Sequence, residues 1–517
     1  MHNAKTGKMS YPCMTDYITS VISSFVVLVA ICLLVPAGSA REEDREVSDT
    51  AVRNAVEDAC LLDAAVPLNE IDVDVRKGVV RLQGTVRNIL AKERATRIAR
   101  TIKGVKAVVN TITIVPPESR TDRTITEDIE EALRDDPATE SFAVNAGVED
   151  GLVTLSGTLD SYQEKQLAAA VAKGVRGVTG LKNEITVTYD TNRTDREITQ
   201  EIEQALQHNV LVDHALIDVS VTDAVVTLSG TIGSAAEKNE ALTTAWVTGV
   251  KDVDGQRLDV ARWARDEDLR KRKYVVKPDA QIEQAVQTAL TMDPRVAPFE
   301  ISVEVKGGTA LLHGTVSNLK AKHSAGVDAR NTVGVLQVKN RIKVKPPYGF
   351  SDAEIKENVR DALARNPYIG RYEISITVDA GIVELTGSVD SYFDKSQAED
   401  VASRAPGVKN IQNRITVLNR NRPLTYSPYV GPLYRAMYDW PKLERVPPIV
   451  TDQQIKENIE NEFFWSPFVD GGDIKIEVED GDVTLKGAVD TLGERQAATE
   501  NAYQGGAVQV HNQLDIE

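Results

Sequence analysis

Between Ser351 and Val417 the spacing of apolar residues changes period three times, and each change marks an element. Ile355, Val359, Ala362 and Leu363 fall at i, i+4, i+7 and i+8, which puts them on one face of a helix. Ser351-Asp352-Ala353-Glu354 opens that helix as a capping box, in which Ser and Glu satisfy each other's orphan amides. Ile374, Ile376 and Val378 then alternate with polar residues, Asp379-Ala380-Gly381 supplies turn chemistry, and Val383 and Leu385 resume the alternation. That pattern predicts an antiparallel hairpin with one buried side. A second helix is predicted from about Tyr392 to Ser403, Pro406-Gly407 ends it, and Ile411, Ile415 and Val417 form a last strand. The order is αββαβ, and a three-stranded sheet with one apolar face needs the two helices as its cover.

The strand-two pattern Val/Ala-x-Leu-x-Gly recurs six times, ending at Gly84, Gly157, Gly230, Gly314, Gly387 and Gly487, with spacings of 73, 73, 84, 73 and 100 residues. A second Gly follows each after 19 or 20 residues. The chain therefore divides into repeats at 47–115, 121–190, 194–261, 277–346, 351–418 and 451–517, with a charged linker at 262–276 and a Pro/Tyr-rich linker at 419–450. A higher order lies above this one. Repeat one matches repeat four after its Gly (Thr85-Val86, Asn88, Ala91-Lys92 against Thr315-Val316, Asn318, Ala321-Lys322), and repeats two and five share Asp160-Ser161-Tyr162 and Asp390-Ser391-Tyr392. Repeats three and six each place an aromatic, Trp246 or Tyr503, sixteen residues after the motif Gly. The plan is ABC-ABC.

The motif glycines are expected at the end of strand two, where a residue without Cβ lets the chain bend into helix two or lets the helix approach closely. Neither a Walker sequence nor G-x-G-x-x-G stands between strand and helix, so a phosphate cradle is not indicated. With its αββαβ order, the strand Val153-Thr154-Leu155-Ser156-Gly157 and the later Gly177-Val178, the repeat resembles the BON domain (bacterial osmotically inducible and nodulation domain). Repeat three departs from the pattern with Ala224 in place of a hairpin Gly, and repeat six with Gly505-Gly506-Ala507 in place of Gly-Val. The resemblance implies a non-enzymatic periplasmic protein that binds phospholipid surfaces or envelope partners and supports envelope integrity under osmotic stress, without a catalytic centre or cofactor.

The remaining sequence features bear on location and partners. Residues 1–40 read as a signal peptide: Lys5 and Lys8 precede the apolar run Val21 to Val35, and Gly38 and Ala40 fit a small-x-small cleavage site. Counted from Ile18 the run is also long enough for an uncleaved membrane anchor, and both readings stay open. A formal net charge of −17 opposes nucleic-acid binding, which rests on neutralising phosphates. Of the three cysteines, Cys13 and Cys32 lie in the leader, leaving Cys60 as a lone, buried thiol on helix one of repeat one. The histidines are scattered, the motifs H-E-x-x-H, C-x-x-C and G-x-S-x-G are missing, and the acidic turns near Asp150 and Asp480 suit hairpins better than calcium loops.

Three stretches stand out as contact surfaces for an anionic phospholipid surface or for envelope proteins. Helix two of repeat one carries Arg97, Arg100 and Lys103 away from its apolar face. The charged linker has Arg270, Lys271, Arg272 and Lys273 beside Trp263 and Tyr274. Phe464, Trp465 and Phe468 concentrate aromatics in a chain with only 5% of them. Pro116-Pro117, Pro346-Pro347 and Pro447-Pro448 stiffen the joints, so the expectation is an elongated array of small α+β domains whose weak contacts add by avidity. A lipid-associated protector and a protein-binding scaffold both remain readings of such an array.

Overall fold

A computed structural model describes residues 47–63, 65–66, 70–189, 193–265, 277–418 and 451–516. The leader and the Pro/Tyr-rich linker therefore fall outside the described residues. Repeat five folds as the periodicity dictates: helix Asp352–Arg365, strands Ser375–Asp379 and Ile382–Val389, helix Tyr392–Arg404 and strand Asn410–Val417. In all six repeats strand two is central, antiparallel to strand one and parallel to strand three, as in Val383 opposite Val378 on one side and Ile411 on the other. The parallel pairing requires a crossover, which helix two supplies. Inward-facing residues such as Val80, Leu82 and Val86 of repeat one are buried under the two helices, while Asp72 and Asp74 on the opposite sheet face are exposed. The class is α+β, repeated six times.

One contact ties helix one to the hairpin in every repeat and carries no mark in the hydrophobic pattern. The first helical residue is Asp in all six (Asp49, Asp122, Asp195, Asp279, Asp352, Asp452), and its two carboxylate oxygens accept the backbone N–H groups of both hairpin-turn residues at 2.7–3.2 Å. Both turn residues have positive φ, as in Lys77 (53°) and Gly78 (75°), the geometry of a type I′ turn. Their amides point away from the sheet and need an acceptor, which the carboxylate provides. In repeat three the second turn position is Ala224, held at φ 64°.

The motif glycines sit differently from the expectation. Gly84 lies inside strand Val79–Val86, paired with Ile71, and not at the bend into helix two. Its φ is 120°, and a Cβ there would stand 1.9 Å from the carbonyl oxygen of Glu70, at the entry to strand one. Gly157, Gly230, Gly314, Gly387 and Gly487 meet the equivalent carbonyl at 2.0–2.9 Å. The glycine thus admits the backbone of strand one, and the helices have no part in it.

The second correction concerns extension. The described residues from Val47 onward form one compact unit, because repeats distant in sequence pack on each other. Within each ABC set the residue five places after the motif Gly, at the start of helix two, enters the next repeat. Ile89 of repeat one joins the core of repeat two, Tyr162 of repeat two stacks on Trp246 of repeat three, and Ala235 of repeat three packs with repeat one, where Arg100 also hydrogen-bonds Asn239 at 2.8 Å. In the second set Leu319 enters the core of repeat five, Tyr392 stacks on Tyr503 of repeat six, and Leu492 packs against the core of repeat four. Each set is a closed head-to-tail cycle, the arrangement by which unlike faces of similar units form rings.

The two cycles are joined through the last turn of helix one, whose terminal carbonyls have no partner within the helix. The Lys103 N–H of repeat one donates to the Trp465 carbonyl of repeat six (3.1 Å), Arg176 of repeat two to Arg365 of repeat five (2.9 Å), and Val333 of repeat four to His208 of repeat three (2.9 Å). Donors and acceptors occupy the same repeat positions in all three pairs. Further cross-links are the buried bidentate pair of Arg295 in repeat four with Asp136 in repeat two, and the guanidinium of Arg94 over the Phe393 ring at 4.2 Å, where the cores of repeats one and five merge. The elongated array of self-contained cores is replaced by a closed one, with helices turned toward other repeats and polar sheet faces outward.

Candidate functional site

Helix one of repeat six, Asp452–Trp465, ends in four residues that divide by face. Glu462 and Phe463 point inward and are buried; Phe464, one step around the helix, is 48% exposed. The Trp465 ring meets Phe464 edge-on at 5.1 Å, donates its Nε1–H to Asn461 Oδ1 at 3.1 Å, and packs partly against the merged core of repeats one and five. Because the Trp465 carbonyl accepts the Lys103 N–H, the Lys103 side chain is delivered to the same spot, its ammonium 5.2 Å from the Phe464 ring centroid. A cation over an aromatic face is held by the ring quadrupole. An exposed phenylalanine, a partly buried tryptophan and a lysine thus converge from two repeats that are far apart in sequence.

Beneath this surface the seam between repeats one and six is acidic. Burial, followed by the charges of Asp63 and Asp58, pushes the Glu462 carboxyl up to about 7. Arg94 pairs with Asp63 at 2.5 Å and offsets part of that charge. Cys60 lies in the same interior, wholly buried, and burial pushes its thiol up to about 12, which leaves it a packing residue.

The sequence-predicted residues are divided by the structure. Lys103, Phe464 and Trp465 come together. Arg100 is turned toward repeat three, with its guanidinium on Asn239, while Arg97 is exposed on helix two of repeat one. Phe468 is partly buried, its N–H bonded to Ser466 Oγ at 3.2 Å. Arg270, Lys271, Arg272 and Lys273 lie outside the described residues. In the sequence Lys103 and Phe464 are separate candidates, since nothing in either segment announces the other. Among the described residues no helix is long and apolar enough to cross a membrane.

Comparison with known proteins finds the BON domain family model matching residues 48–116, 121–189, 194–261, 278–346, 351–419 and 451–517. Osmotically-inducible protein Y of Escherichia coli is 34% identical over 139 residues, which is 26% of this chain and 69% of that protein. Outer membrane lipoprotein DolP of Haemophilus influenzae is 28% identical over 138 residues, 26% of this chain and 71% of the relative. A solved structure of CdsD, a structural protein of the type III secretion system of Chlamydia trachomatis, aligns over 44% of this chain and 100% of its own at 16% identity, with a TM-score of 0.12, too low to argue from.

Proposed function

Because the chain belongs to the BON domain family, we propose that it is a non-enzymatic envelope protein, exported by its N-terminal segment, that docks on anionic phospholipid surfaces and supports the envelope under osmotic stress. The observation that carries this reading is the convergence of Phe464, Trp465 and Lys103 at the seam of repeats one and six. Aromatic rings with one apolar edge and one polar handle suit the headgroup level of a bilayer, and an adjacent lysine adds attraction to anionic lipid. Arg97, exposed on helix Ile89–Arg100 just before the turn that carries Lys103, supplements that charge in a chain that is otherwise acidic. Of the two relatives, one is named as osmotically inducible and the other as an outer membrane lipoprotein, names that support the osmotic circumstance and the envelope location respectively.

Closure of the array changes how the surface works. Six copies on a rod would present six weak contacts, whereas here the second helices are occupied by neighbouring repeats, and docking falls to the few residues left outward. Co-sedimentation of the mature chain with phosphatidylglycerol/phosphatidylethanolamine vesicles tests the reading. Binding should weaken with salt, and Phe464→Ala with Lys103→Glu should lower it by about tenfold or more. Failure to bind vesicles of any composition would reject the lipid reading and leave the surface to protein partners.

A further inference from the structure

A cleft of about 600 Å³ lies between repeats three and four, walled by the first helices Asp195–His208 and Asp279–Met292 and by the second helices of the same repeats. Its volume falls in the range of small-molecule sites and exceeds what a bare ion needs. Most of the wall is neutral and rich in acceptors, from Gln204, Gln281 and Gln284 to Thr244 and Thr288, with an apolar strip at Ala285, Ala289 and Met292. Its lining includes two carboxyl groups from different elements, Asp293 at the end of one helix and Asp328 on another.

Asp328 Oδ2 is buried and receives no N–H or O–H from any group other than the neighbouring carboxyl of Asp293. Two charges so placed would be costly, and burial, then the charge of Asp293 and a hydrogen bond to it, hold the Asp328 carboxyl well above the usual carboxylate range, so that the pair on its own keeps a proton. The other charged groups around the cleft do not relieve it. Glu201 is paired with Arg193, Glu240 Oε1 accepts from Asn209 at 2.9 Å, Lys277 lies near His208, and burial with Lys277 keeps the His208 imidazole toward its neutral form. The Arg295 side chain, which follows Asp293 in the chain, is turned away to Asp136 of repeat two.

We propose that this cleft binds a small aliphatic ammonium ion, its charged head against Asp328 and Asp293 and its alkyl part along Ala285, Ala289 and Met292. An ammonium group supplies donors to both carboxyls in place of the proton the pair holds on its own, and its charge offsets their repulsion once both are ionised. The amide and hydroxyl oxygens of the wall accept its remaining protons. Among the described residues no three His, Cys, Asp or Glu side chains are grouped to hold a metal ion, so the site favours an organic cation.

Calorimetric titration of the full mature chain with 1,4-diaminobutane, against 1,4-butanediol as the neutral analogue, tests the proposal. The diamine should bind saturably and the diol should not. Asp328→Asn, which keeps the shape and removes the charge, should lower diamine affinity by about tenfold or more. Ala289→Phe, placed on the partly exposed wall, should block the cleft and abolish binding even if the Asp328 variant folds poorly. Equal binding of diol and diamine, unchanged affinity in either folded variant, or no diamine binding at millimolar concentration would overturn it.

Discussion

Tyr162 of repeat two stacks flat on Trp246 of repeat three, centroids 3.8 Å apart and planes 5° from parallel, and Tyr392 repeats the contact on Tyr503 at 3.5 Å. The four rings occupy equivalent positions in the two halves of the chain, so the ABC-ABC plan repeats an interface along with the domains that make it. Gln163 adds a hydrogen bond from its Nε2 to the Trp246 carbonyl at 2.6 Å, fixing the edge of the stack. Tyr162→Ala and Trp246→Ala are predicted to be non-additive, with a coupling of about 0.5–1.5 kcal/mol in a double-mutant cycle read by urea unfolding. Strict additivity would mean that the rings lie side by side without contributing to the ring closure.

The motif glycine and the turn alanine make opposite predictions. Gly84→Ala places a methyl group against the Glu70 carbonyl in a backbone region that side chains avoid, and should destabilise the protein by about 2 kcal/mol or more. Ala224→Gly relieves a left-handed residue in the one hairpin that lacks the usual glycine, and should stabilise repeat three by about 1 kcal/mol. Thermal unfolding of both variants checks the pair; a neutral Gly84→Ala would contradict the close approach of strand one.

Glu462 makes the seam of repeats one and six sensitive to pH. Its folded pKa, raised to about 7, stands above the ordinary value of 4.5, so the native state holds a proton that the unfolded chain has lost across that window. The resulting stability is fully present below about pH 4.5 and is lost as pH rises through about 7, a change of about 3 kcal/mol by linkage. Glu462→Gln should flatten stability between pH 5 and 8, as measured by denaturant midpoints, and raise it at the upper end. An unchanged profile would show that Glu462 is not buried against Asp63 and Asp58.

Arg295 and Asp136 join repeat four to repeat two by two hydrogen bonds of 2.9 and 2.8 Å, with both side chains buried. Removing one partner leaves an uncompensated charge, so Asp136→Ala should cost about 3–5 kcal/mol. Replacing both with apolar residues of similar volume should cost far less. Equal losses in the single and double variants would argue against a buried pair.

How much of this the sequence displayed follows from what each residue interacts with. Helices and hairpins are local, so Ile355, Val359 and Leu363 or Ile376 and Val378 reveal them by period alone. The Asp of each helix start recurs visibly after Ser48, Thr121, Thr194, Pro278, Ser351 and Thr451, but its role appears only when the hairpin amides are seen above it. Ring closure was hidden because the entering residue is Ile89, Tyr162, Ala235, Leu319, Tyr392 or Leu492, with no shared chemistry to read. Backbone bonds such as Arg176 to Arg365 leave no side-chain signature at all. They also have a one-sided form: Pro406, at the position of Arg176 in repeat five, has no N–H to return the bond. For the candidate surface, residue type was legible in Phe464 and Lys103 separately, and their meeting was not.

The closed array depends on contact between repeats that the chain places far apart, above all Lys103 with Trp465. Disulfide trapping tests this most directly: Lys103→Cys with Trp465→Cys, in a chain expressed without residues 1–40, and so without Cys13 and Cys32, whose Cys60 is replaced by Ala, oxidised at low protein concentration. Rapid formation of an intramolecular disulfide in the monomer, with no free thiol left for labelling, is the predicted result. Thiols that stay free, or that link only between molecules, would contradict the closed array and restore a string of independent domains.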